Sequence, residues 1–297
     1  MLVIGSRGSK LALWQANYTK DRLEALGHAC RIEVISTSGD RFQSGPLKEV
    51  GNKGLFTKEI EDALLDGSID VAVHSLKDVP TQIPEGLKIV ATPEREDARD
   101  AMVGRRLDDL QPGSRVGTGS LRRIAQLMAA RPDLIVEGIR GNVDTRLRKL
   151  DEGQFDAIVL AAAGLNRLGW SGRIAEYLPV EIMCPAVGQG ALAIQTRADT
   201  RADEGAAAFV CAQLNDAATN AAVTAERAVL DVLGGGCQVP IGVHAIVKGA
   251  TLQLRAIVIS PDGKRSVRRE GSGTDPLLLG AAVGQDLLDN GAREILG

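Results

Sequence analysis

The 297-residue sequence predicts an α/β protein that ends in a small α+β domain. Short β-branched runs alternate with helical segments, the alternation begins again after a charged stretch at residues 94–100, and the pattern changes at residue 216. A βαβ alternation is typical of a mostly parallel sheet with helices on both faces. A chain of this length is expected to form two or three domains.

The first repeat of the pattern precedes residue 94. We expect strands at residues 2–4, 31–36, 71–73 and 88–91, and helices at residues 11–26 and 57–65. Val and Ile recur in these strands, and their branched side chains pack well on a pleated surface. Pro93 ends the last of them, because proline cannot donate to a strand ladder.

The second repeat follows the charged stretch, which we interpret as a crossover between two domains. We expect strands at residues 115–116, 134–136 and 157–160, and helices at residues 121–130 and 143–150. Pro179, Pro185 and the glycines of residues 188–190 mark a second crossover. A strand at residues 191–196 is then expected to return to the first sheet.

The last part of the chain has a different order of elements. A long helix at residues 217–233 is followed by alternating strands that include residues 251–258 and 265–269, and by a helix at residues 276–290. Strands grouped between helices favour an α+β domain. We therefore expect three domains, formed by residues 1–94 with 191–212, residues 95–190, and residues 213–297.

Composition and charge exclude several classes of protein. Lys plus Arg number 35 against 38 Asp plus Glu, a formal net charge of −3, whereas nucleic-acid and anionic-membrane binders carry a basic excess. No apolar run approaches the length of a membrane span, and no export signal is recognisable at the start. We expect a cytoplasmic protein with reduced thiols and no membrane or nucleic-acid partner. The four cysteines lack metal-ligand spacing, so no metal site is expected.

Four turns combine small residues with Lys or Arg. They lie at residues 5–10, 51–54, 117–123 and 140–146, and most of them stand just before an expected helix. Helix starts attract anions, and a guanidinium group binds a carboxylate through two hydrogen bonds. One such turn is weak support, since surface Arg and helix-capping Ser are common. Four of them favour a ligand with several negative charges, and the absence of phosphate-loop and dinucleotide motifs disfavours a nucleotide.

Two further segments contain candidate reactive groups. The expected strand at residues 71–73 leads into His74, Ser75, Lys77 and Asp78, and open α/β folds place their sites at such strand ends. A solvated turn with a Lys–Asp pair is an equally good interpretation of this segment alone, and His74 is more typical of a packed or hydrogen-bonded histidine than of a catalyst. Cys237 follows three glycines, which suits an accessible reactive thiol or simply a loop that contains a cysteine.

The ordered set of motifs resembles the hydroxymethylbilane synthase family, also called porphobilinogen deaminase, over essentially the whole chain. The matching motifs are SRGSKLALWQA (6–16), GLFTKE (54–59), AVHSLKDVP (72–80), GTGSLRR (117–123), RGNVDTR (140–146), PAVGQG (185–190) and GGCQVPIG (235–242).

The resemblance implies two α/β domains like those of type II periplasmic binding proteins, plus a small C-terminal α+β domain. It implies a dipyrromethane cofactor, made from two substrate units and held by a thioether to Cys237. Four molecules of porphobilinogen are added to it with loss of ammonia, and water releases the linear tetrapyrrole 1-hydroxymethylbilane. A monomer is expected.

The family's site residues fall on matching positions of this chain. The catalytic aspartate falls on Asp78. Cofactor contacts besides Cys237 fall on Ser75, Lys77, Thr118, Ser120, Arg122, Arg123 and Gln189. Substrate contacts fall on Arg7, Ser9, Lys53, Arg140 and Arg146.

Three positions depart from the family's usual pattern. Glu49 stands where Lys is usual, Asn52 replaces a common Gly, and Gly119 replaces a Ser. We expect altered contact strength and the same reaction. The alternatives are a non-catalytic anion-binding protein of the same two-domain fold and a cysteine-nucleophile or thiol-redox enzyme, although Cys237 has no resolving cysteine and no convincing histidine partner nearby in sequence.

Overall fold

A computed structural model describes residues 1–41, 56–198, 206–234 and 240–297. Lys53 and Cys237, and the departures at Glu49 and Asn52, lie outside the described residues. The chain forms two compact units, Met1–Arg95 with Ala191–Asn220, and Glu96–Gly190 with Ala221–Gly297. The division into three domains stays a prediction.

The described strands, in chain order, are β1 (Leu2–Ser6), β2 (Cys30–Val34), β3 (Val71–Ser75), β4 (Leu87–Ala91), β5 (Asp100–Val103), β6 (Arg115–Gly117), β7 (Ile135–Glu137), β8 (Ala157–Ala161), β9 (Ile174–Tyr177), β10 (Leu192–Arg197), β11 (Ile241–Lys248), β12 (Thr251–Ile259) and β13 (Ser266–Gly273). The described α-helices are α1 (Lys10–Ala25), α2 (Ser38–Arg41), α3 (Lys58–Leu65), α4 (Leu121–Ala130), α5 (Val143–Asp151), α6 (Ala162–Arg167), α7 (Ala207–Ala212), α8 (Ala217–Val232), α9 (Pro276–Leu287) and α10 (Arg293–Leu296).

The first unit is built on a sheet with the strand order β2-β1-β3-β10-β4. β1 runs parallel to both β2 and β3, whereas β10 runs antiparallel to β3 and β4. Ile4, Val73 and Ile194 from three of these strands pack with Leu23 of α1 in a buried apolar cluster. The carboxyl ends of β1 and β3 therefore lie at the same edge of the sheet.

The second unit contains a sheet of the same kind, in the order β7-β6-β8-β5-β9. β6 is parallel to β7 and β8, and β5 is antiparallel to β8 and β9. Met102, Val116 and Val159 form its core with Leu127 of α4. Because β5 runs in the opposite direction, its first residue, Asp100, lies beside the carboxyl end of β8, where it pairs with Ala161.

The antiparallel sheet β11-β12-β13 forms the C-terminal part of the second unit. Alternate residues of β11 and β12, such as Val243 and Leu254, pack against α8 and α9 through Val229 and Val283. The turn after β12 approaches α4 closely at Gly263. That glycine has a φ of 74°, and a Cβ added there would lie 2.7 Å from the carbonyl oxygen of Ala125.

The predicted fold is confirmed: two mixed α/β sheets are followed by a small α+β part, and β10 returns to the first sheet. Strands β5 and β9 and helix α6 were not predicted from the sequence. Asp100 was expected in a charged crossover, whereas it is the fully buried first residue of β5. Among the described residues, no helix combines the length and the apolar character needed to cross a membrane.

Candidate active site

In the first unit, predicted site residues follow two neighbouring parallel strands at one edge of the sheet. Arg7 and Ser9 come directly after β1, and Ser75 ends β3. A short 3-10 helix, Leu76–Asp78, then presents Lys77 and Asp78 with exposed side chains. The catalytic aspartate expected from the sequence therefore stands at the sheet edge where open α/β folds bind ligands.

Contacts within this unit fix the backbone beneath these side chains. The Ser9 hydroxyl caps α1 by accepting a hydrogen bond of 3.3 Å from the Ala12 amide. Gln15 of the same helix donates to the Ser75 hydroxyl at 2.8 Å, which ties α1 to the end of β3. The Arg7 guanidinium lies 4.2 Å from the ring centroid of Phe56.

A buried chain of hydrogen bonds begins at His74, one residue before the end of β3. His74 Nε2 lies 3.0 Å from Gln195 Oε1, and Gln195 Nε2 donates to Glu61 Oε1 at 3.0 Å. The Thr57 hydroxyl donates to the other Glu61 oxygen at 3.3 Å. Since the Gln195 amide oxygen can only accept, His74 carries its proton on Nε2.

Burial lowers the pKa of His74 from 6.5 to about 4, and the nearby positive charge of Arg7 adds to this effect, although the hydrogen bond to Gln195 opposes it. His74 is therefore a neutral, packed histidine at neutral pH. A packed histidine was also the interpretation that the sequence favoured over a catalytic role for this residue.

In the second unit, the predicted residues again lie beyond parallel strand ends. Thr118 follows β6, and its hydroxyl accepts a hydrogen bond of 3.3 Å from the Ser120 amide at the start of α4. Arg140 follows β7 with an exposed side chain, and Arg146 lies in the first turns of α5. Arg146 Nε donates to the carbonyl oxygen of Gly141 at 2.7 Å, which folds this arginine back over its own turn.

Gly119 has a steric explanation in this unit. A Cβ added there would lie 2.9 Å from the carbonyl oxygen of Ile139, which is closer than a side-chain carbon tolerates. The turn after β6 and the exit of β7 therefore approach each other more closely than the family's usual serine would permit.

Arg122 and Arg123 are buried and share one carboxylate. Arg122 Nη1 lies 2.7 Å from Asp100 Oδ2, and Arg123 Nη2 lies 2.7 Å from Asp100 Oδ1. Burial alone would raise the pKa of the Asp100 carboxyl, but the two guanidinium groups outweigh burial and hold it well below its usual range. Burial lowers the pKa of Arg123, and the charge of Asp100 opposes that change.

Gln189 belongs to the same cluster. Its amide nitrogen donates to the carbonyl oxygen of Ala98 at 2.7 Å and to Asp100 Oδ1 at 2.9 Å. Asp100 is thus a site residue that the sequence analysis missed. An acidic residue placed directly before the apolar run of residues 101–103 is a signal that could have drawn attention to it.

Two groups of predicted residues are thus brought together within their own units. The first comprises Arg7, Ser9, Ser75, Lys77 and Asp78, and the second comprises Thr118, Ser120, Arg122, Arg123, Arg140, Arg146 and Gln189. Within the described parts of the chain, no group of three or more His, Cys, Asp or Glu residues could hold a metal ion. Cationic and hydroxyl-bearing turns at the carboxyl edge of both α/β sheets are typical of proteins that bind small molecules rich in carboxylates.

Comparison with known proteins identifies the family. The family model described as "Porphobilinogen deaminase, dipyromethane cofactor binding domain" matches residues 2–204, and "Porphobilinogen deaminase, C-terminal domain" matches residues 220–289. The porphobilinogen deaminase of Trichlorobacter lovleyi is 52% identical over 301 residues, which cover 99% of this chain and 95% of that protein. That of Brevibacillus brevis is 51% identical over 299 residues, covering 99% and 96%. The chain belongs to the porphobilinogen deaminase family, whose members are transferases with hydroxymethylbilane synthase activity.

Among solved structures, the chain is similar to a periplasmic substrate-binding protein of an ABC transporter from Coxiella burnetii. The TM-score is 0.45 at 13% identity, and the match covers 76% of this chain and 97% of that one.

The described residues fit the dipyrromethane cofactor of the family. Two porphobilinogen units bring two acetate and two propionate groups, and the strand-end turns offer cations and hydroxyl groups to such anions. Arg122 Nε is buried and has no hydrogen-bond partner among the described residues, so the cluster retains an unused charged donor. Buried polar groups are nearly always hydrogen-bonded, and a carboxylate of the cofactor could accept the hydrogen bond of this donor.

Proposed function

We propose that this protein assembles 1-hydroxymethylbilane from porphobilinogen with Asp78 as its catalytic carboxylate and Cys237 as the thioether anchor of the dipyrromethane cofactor. The observation that carries this proposal is the position of Asp78. It is an exposed carboxylate one 3-10 turn beyond a fully packed parallel strand, with Lys77 beside it and Arg7 at the end of the neighbouring strand.

The substrate's chemistry explains why a carboxylate is needed there. The carbon–nitrogen bond of the aminomethyl group breaks, ammonia leaves, and positive charge spreads onto the pyrrole nitrogen of the same substrate molecule. An Asp78 oxygen that accepts a hydrogen bond from this pyrrole N–H stabilises the developing charge. The gain is greatest in the transition state, since the ground-state pyrrole is neutral.

The remaining residues bind and orient. When bound, the cofactor supplies a covalently held pyrrole with a free carbon to which substrate units are joined. We assign its contacts, besides Cys237, to Ser75, Lys77, Thr118, Ser120, Arg122, Arg123 and Gln189. We assign contacts to substrate carboxylates to Arg7, Ser9, Lys53, Arg140 and Arg146. Because each added unit brings an acetate and a propionate, dispersed cations suit a lengthening chain.

We further propose that the protein acts in the cytoplasm as a monomer, without nucleic-acid or membrane partners. The formal net charge of −3 supports the absence of nucleic acid and of anionic membranes, because both attract a basic excess. Family membership favours the enzyme over a non-catalytic anion-binding protein of the same fold. It also disfavours a cysteine-nucleophile or thiol-redox enzyme, since the proposed role of Cys237 is to hold the cofactor.

Replacement of Asp78 by Ala tests the catalytic assignment. Loss of one preorganised electrostatic partner typically lowers the rate by about 10²–10³, so kcat is expected to fall by at least that order. Asp78→Glu should retain part of the activity, and Asp62→Ala is the control, because Asp62 is an exposed acid on α3 of the same unit.

Intact mass must first establish that each variant carries two porphobilinogen units less two ammonias. A loaded Asp78→Ala protein with near-normal kcat would move the catalytic role to another residue.

A further inference from the structure

Four buried polar residues of the first unit have no part in the proposed chemistry. They are Thr57, Glu61, His74 and Gln195, and their side chains form one continuous path of hydrogen bonds. None of them is more than 6% exposed. Burying polar groups is costly unless each has a hydrogen-bond partner. A path of this kind that ends at the strand leading to the candidate site therefore requires an explanation.

The hydrogen bonds of this path all run towards Glu61. The Thr57 hydroxyl and the Gln195 amide nitrogen donate to its two oxygens, at 3.3 Å and 3.0 Å. Because a carboxylate only accepts, Gln195 turns its nitrogen to Glu61 and its oxygen to His74. His74 Nε2 lies 3.0 Å from that oxygen and donates to it. Glu61 thus fixes the orientation of the Gln195 amide, and the amide fixes that of the imidazole ring.

The path joins three elements of the first unit. Glu61 lies on α3, Gln195 lies on β10, and His74 lies on β3, one residue before the strand ends. In the antiparallel ladder of β3 and β10, His74 pairs with Ala193. The end of β3 is therefore held to β10 by side chains as well as by the ladder, and through them it is held to α3.

Further contacts hold the same strand end. Consecutive side chains of a strand point to opposite faces, so Ser75 lies on the face opposite to His74. Its hydroxyl accepts from Gln15 of α1 at 2.8 Å. The amide of Leu76, the first residue of the 3-10 turn, donates to the carbonyl oxygen of Ala191 at 3.0 Å. The strand end is thus fixed from both faces, as far as the start of the turn.

Asp78 depends on this support, because its own side chain is exposed and packing does not hold it in place. It is the third and last residue of the 3-10 turn that follows β3 directly. An electrostatic partner lowers a reaction barrier most when it is already held where the charge develops. A displacement of about 1 Å can cost about 10²-fold in rate.

We propose that Glu61 and Gln195 are positioning residues for the reaction, and that they act through His74 to hold the end of β3 and the turn that presents Asp78. This inference rests on the proposed function, in which Asp78 is the catalytic carboxylate. It assigns a role in turnover to two residues that are remote from the substrate and that carry no chemistry of their own.

Kinetics of cofactor-loaded protein test the role of Gln195. In Gln195→Met the path is interrupted, so we expect kcat to fall about tenfold while KM stays within about twofold, because Asp78 acts mainly in the transition state. Thr196→Val is the matched control. Thr196 is the next buried residue of β10, and its hydroxyl donates only to the carbonyl oxygen of Arg197, at 3.0 Å. Intact mass corrects each rate for the loaded fraction, so that a variant that is merely less stable keeps its kcat.

Two substitutions of Glu61 separate the hydrogen-bonded path from the negative charge. Glu61→Gln should keep kcat near the wild-type value, because an amide oxygen still accepts from Gln195, and the Thr57 hydroxyl can accept as well as donate. Glu61→Leu has no polar atom and should lower kcat about tenfold, as Gln195→Met does.

A double-mutant cycle tests whether the path acts through Asp78. Gln195→Met should lower the rate about tenfold in the wild-type chain and should lower it no further in Asp78→Ala, which has no carboxylate left to position. Intact mass follows the addition of the first porphobilinogen unit to loaded protein over time, which also measures slow variants. Melting curves identify variants that fold, and the cycle uses Gln195→Met whether or not Glu61→Leu folds.

Any of three results would overturn the inference. They are a wild-type kcat in loaded Gln195→Met, an equal tenfold loss from that substitution in the Asp78→Ala background, and a Glu61→Gln variant as slow as Glu61→Leu. Near-normal kcat in loaded Asp78→Ala would instead contradict the proposed function.

Discussion

The buried imidazole of His74 should make the unfolding free energy depend on pH, and His74→Gln should remove that dependence. Burial lowers the pKa of this group from 6.5 to about 4 in the folded protein. The unfolded chain therefore binds the proton more readily between these two values. Unfolding free energy falls as the pH falls through this window, because the unfolded state takes up more protons than the folded state.

The size of the effect follows from the two pKa values. Each unit of difference corresponds to about 1.36 kcal/mol, so the full difference between 6.5 and about 4 amounts to roughly 3 kcal/mol. At about pH 5 the histidine is nearly fully protonated in the unfolded chain but largely neutral in the folded protein. The loss of unfolding free energy between about pH 7.5 and about pH 5 is therefore about 2 kcal/mol. Because the side chain is buried, solvent does not screen this difference away.

Urea unfolding of cofactor-loaded protein at about pH 7.5 and about pH 5 measures the effect. The loss of stability between the two pH values should be smaller by about 2 kcal/mol in His74→Gln than in wild type. Gln195→Met is the matched control. It removes the hydrogen-bond partner of the imidazole but keeps the titrating group, so it should retain the pH dependence even if it is less stable at both values.

The comparison uses the difference between wild type and variant, which cancels groups that titrate in both. If His74→Gln lost as much stability as wild type between the two pH values, His74 would not be the group responsible. The interpretation of His74 as a neutral buried histidine would then be wrong.

Three further outcomes are expected. Cys237→Ala should give folded protein that never gains the cofactor mass and does not turn over, and normal turnover would refute the thioether assignment. Arg146→Leu should stall chain growth and change the ladder of partial pyrrole chains in native mass spectra. The substitution removes a charge-assisted hydrogen bond to the growing chain, which is worth about 1.5–3 kcal/mol. Arg148→Leu on the same helix is the control and should leave the ladder unchanged. Gly119→Ser should lower the unfolding free energy by about 1–3 kcal/mol, because the new Cβ would lie 2.9 Å from a backbone carbonyl oxygen. Gly138→Ser is the control, because a Cβ there meets no atom within 4 Å, and it should lower the unfolding free energy less. Equal costs at the two glycines would contradict the steric explanation.

The strand ends of the candidate site were predictable from the sequence. Residues 71–73 form an apolar run that polar residues and Pro80 terminate, so a buried strand followed by an exposed turn was the expected structure. The position of Lys77 and Asp78 at that edge follows from the local pattern alone. The same holds for Arg140, which lies three residues beyond the end of β7.

The state of the arginine pair was not predictable, because it depends on residues distant in sequence. Asp100 precedes Arg122 by 22 positions, and Gln189 lies 66 positions beyond Arg123. In the sequence Asp100 ends a charged stretch that resembles a solvated crossover. Asp100 lies beside α4 because β5 runs antiparallel to β8 and β9. Short strands such as β5 and β9 give too weak a sequence pattern to predict that direction.

The buried cluster around Asp100 also limits how many carboxylates it can accept. Two guanidinium groups and one carboxylate leave a single positive charge in a place that water scarcely reaches. One incoming carboxylate makes the cluster neutral, and a second would be buried without a countercharge, which is costly. Each porphobilinogen unit carries two acid groups, so the other must turn towards cations in contact with solvent, such as Arg140. If a pyrrole ring binds at this cluster, as proposed above, charge balance would give it an inner and an outer acid group, and with them a defined orientation.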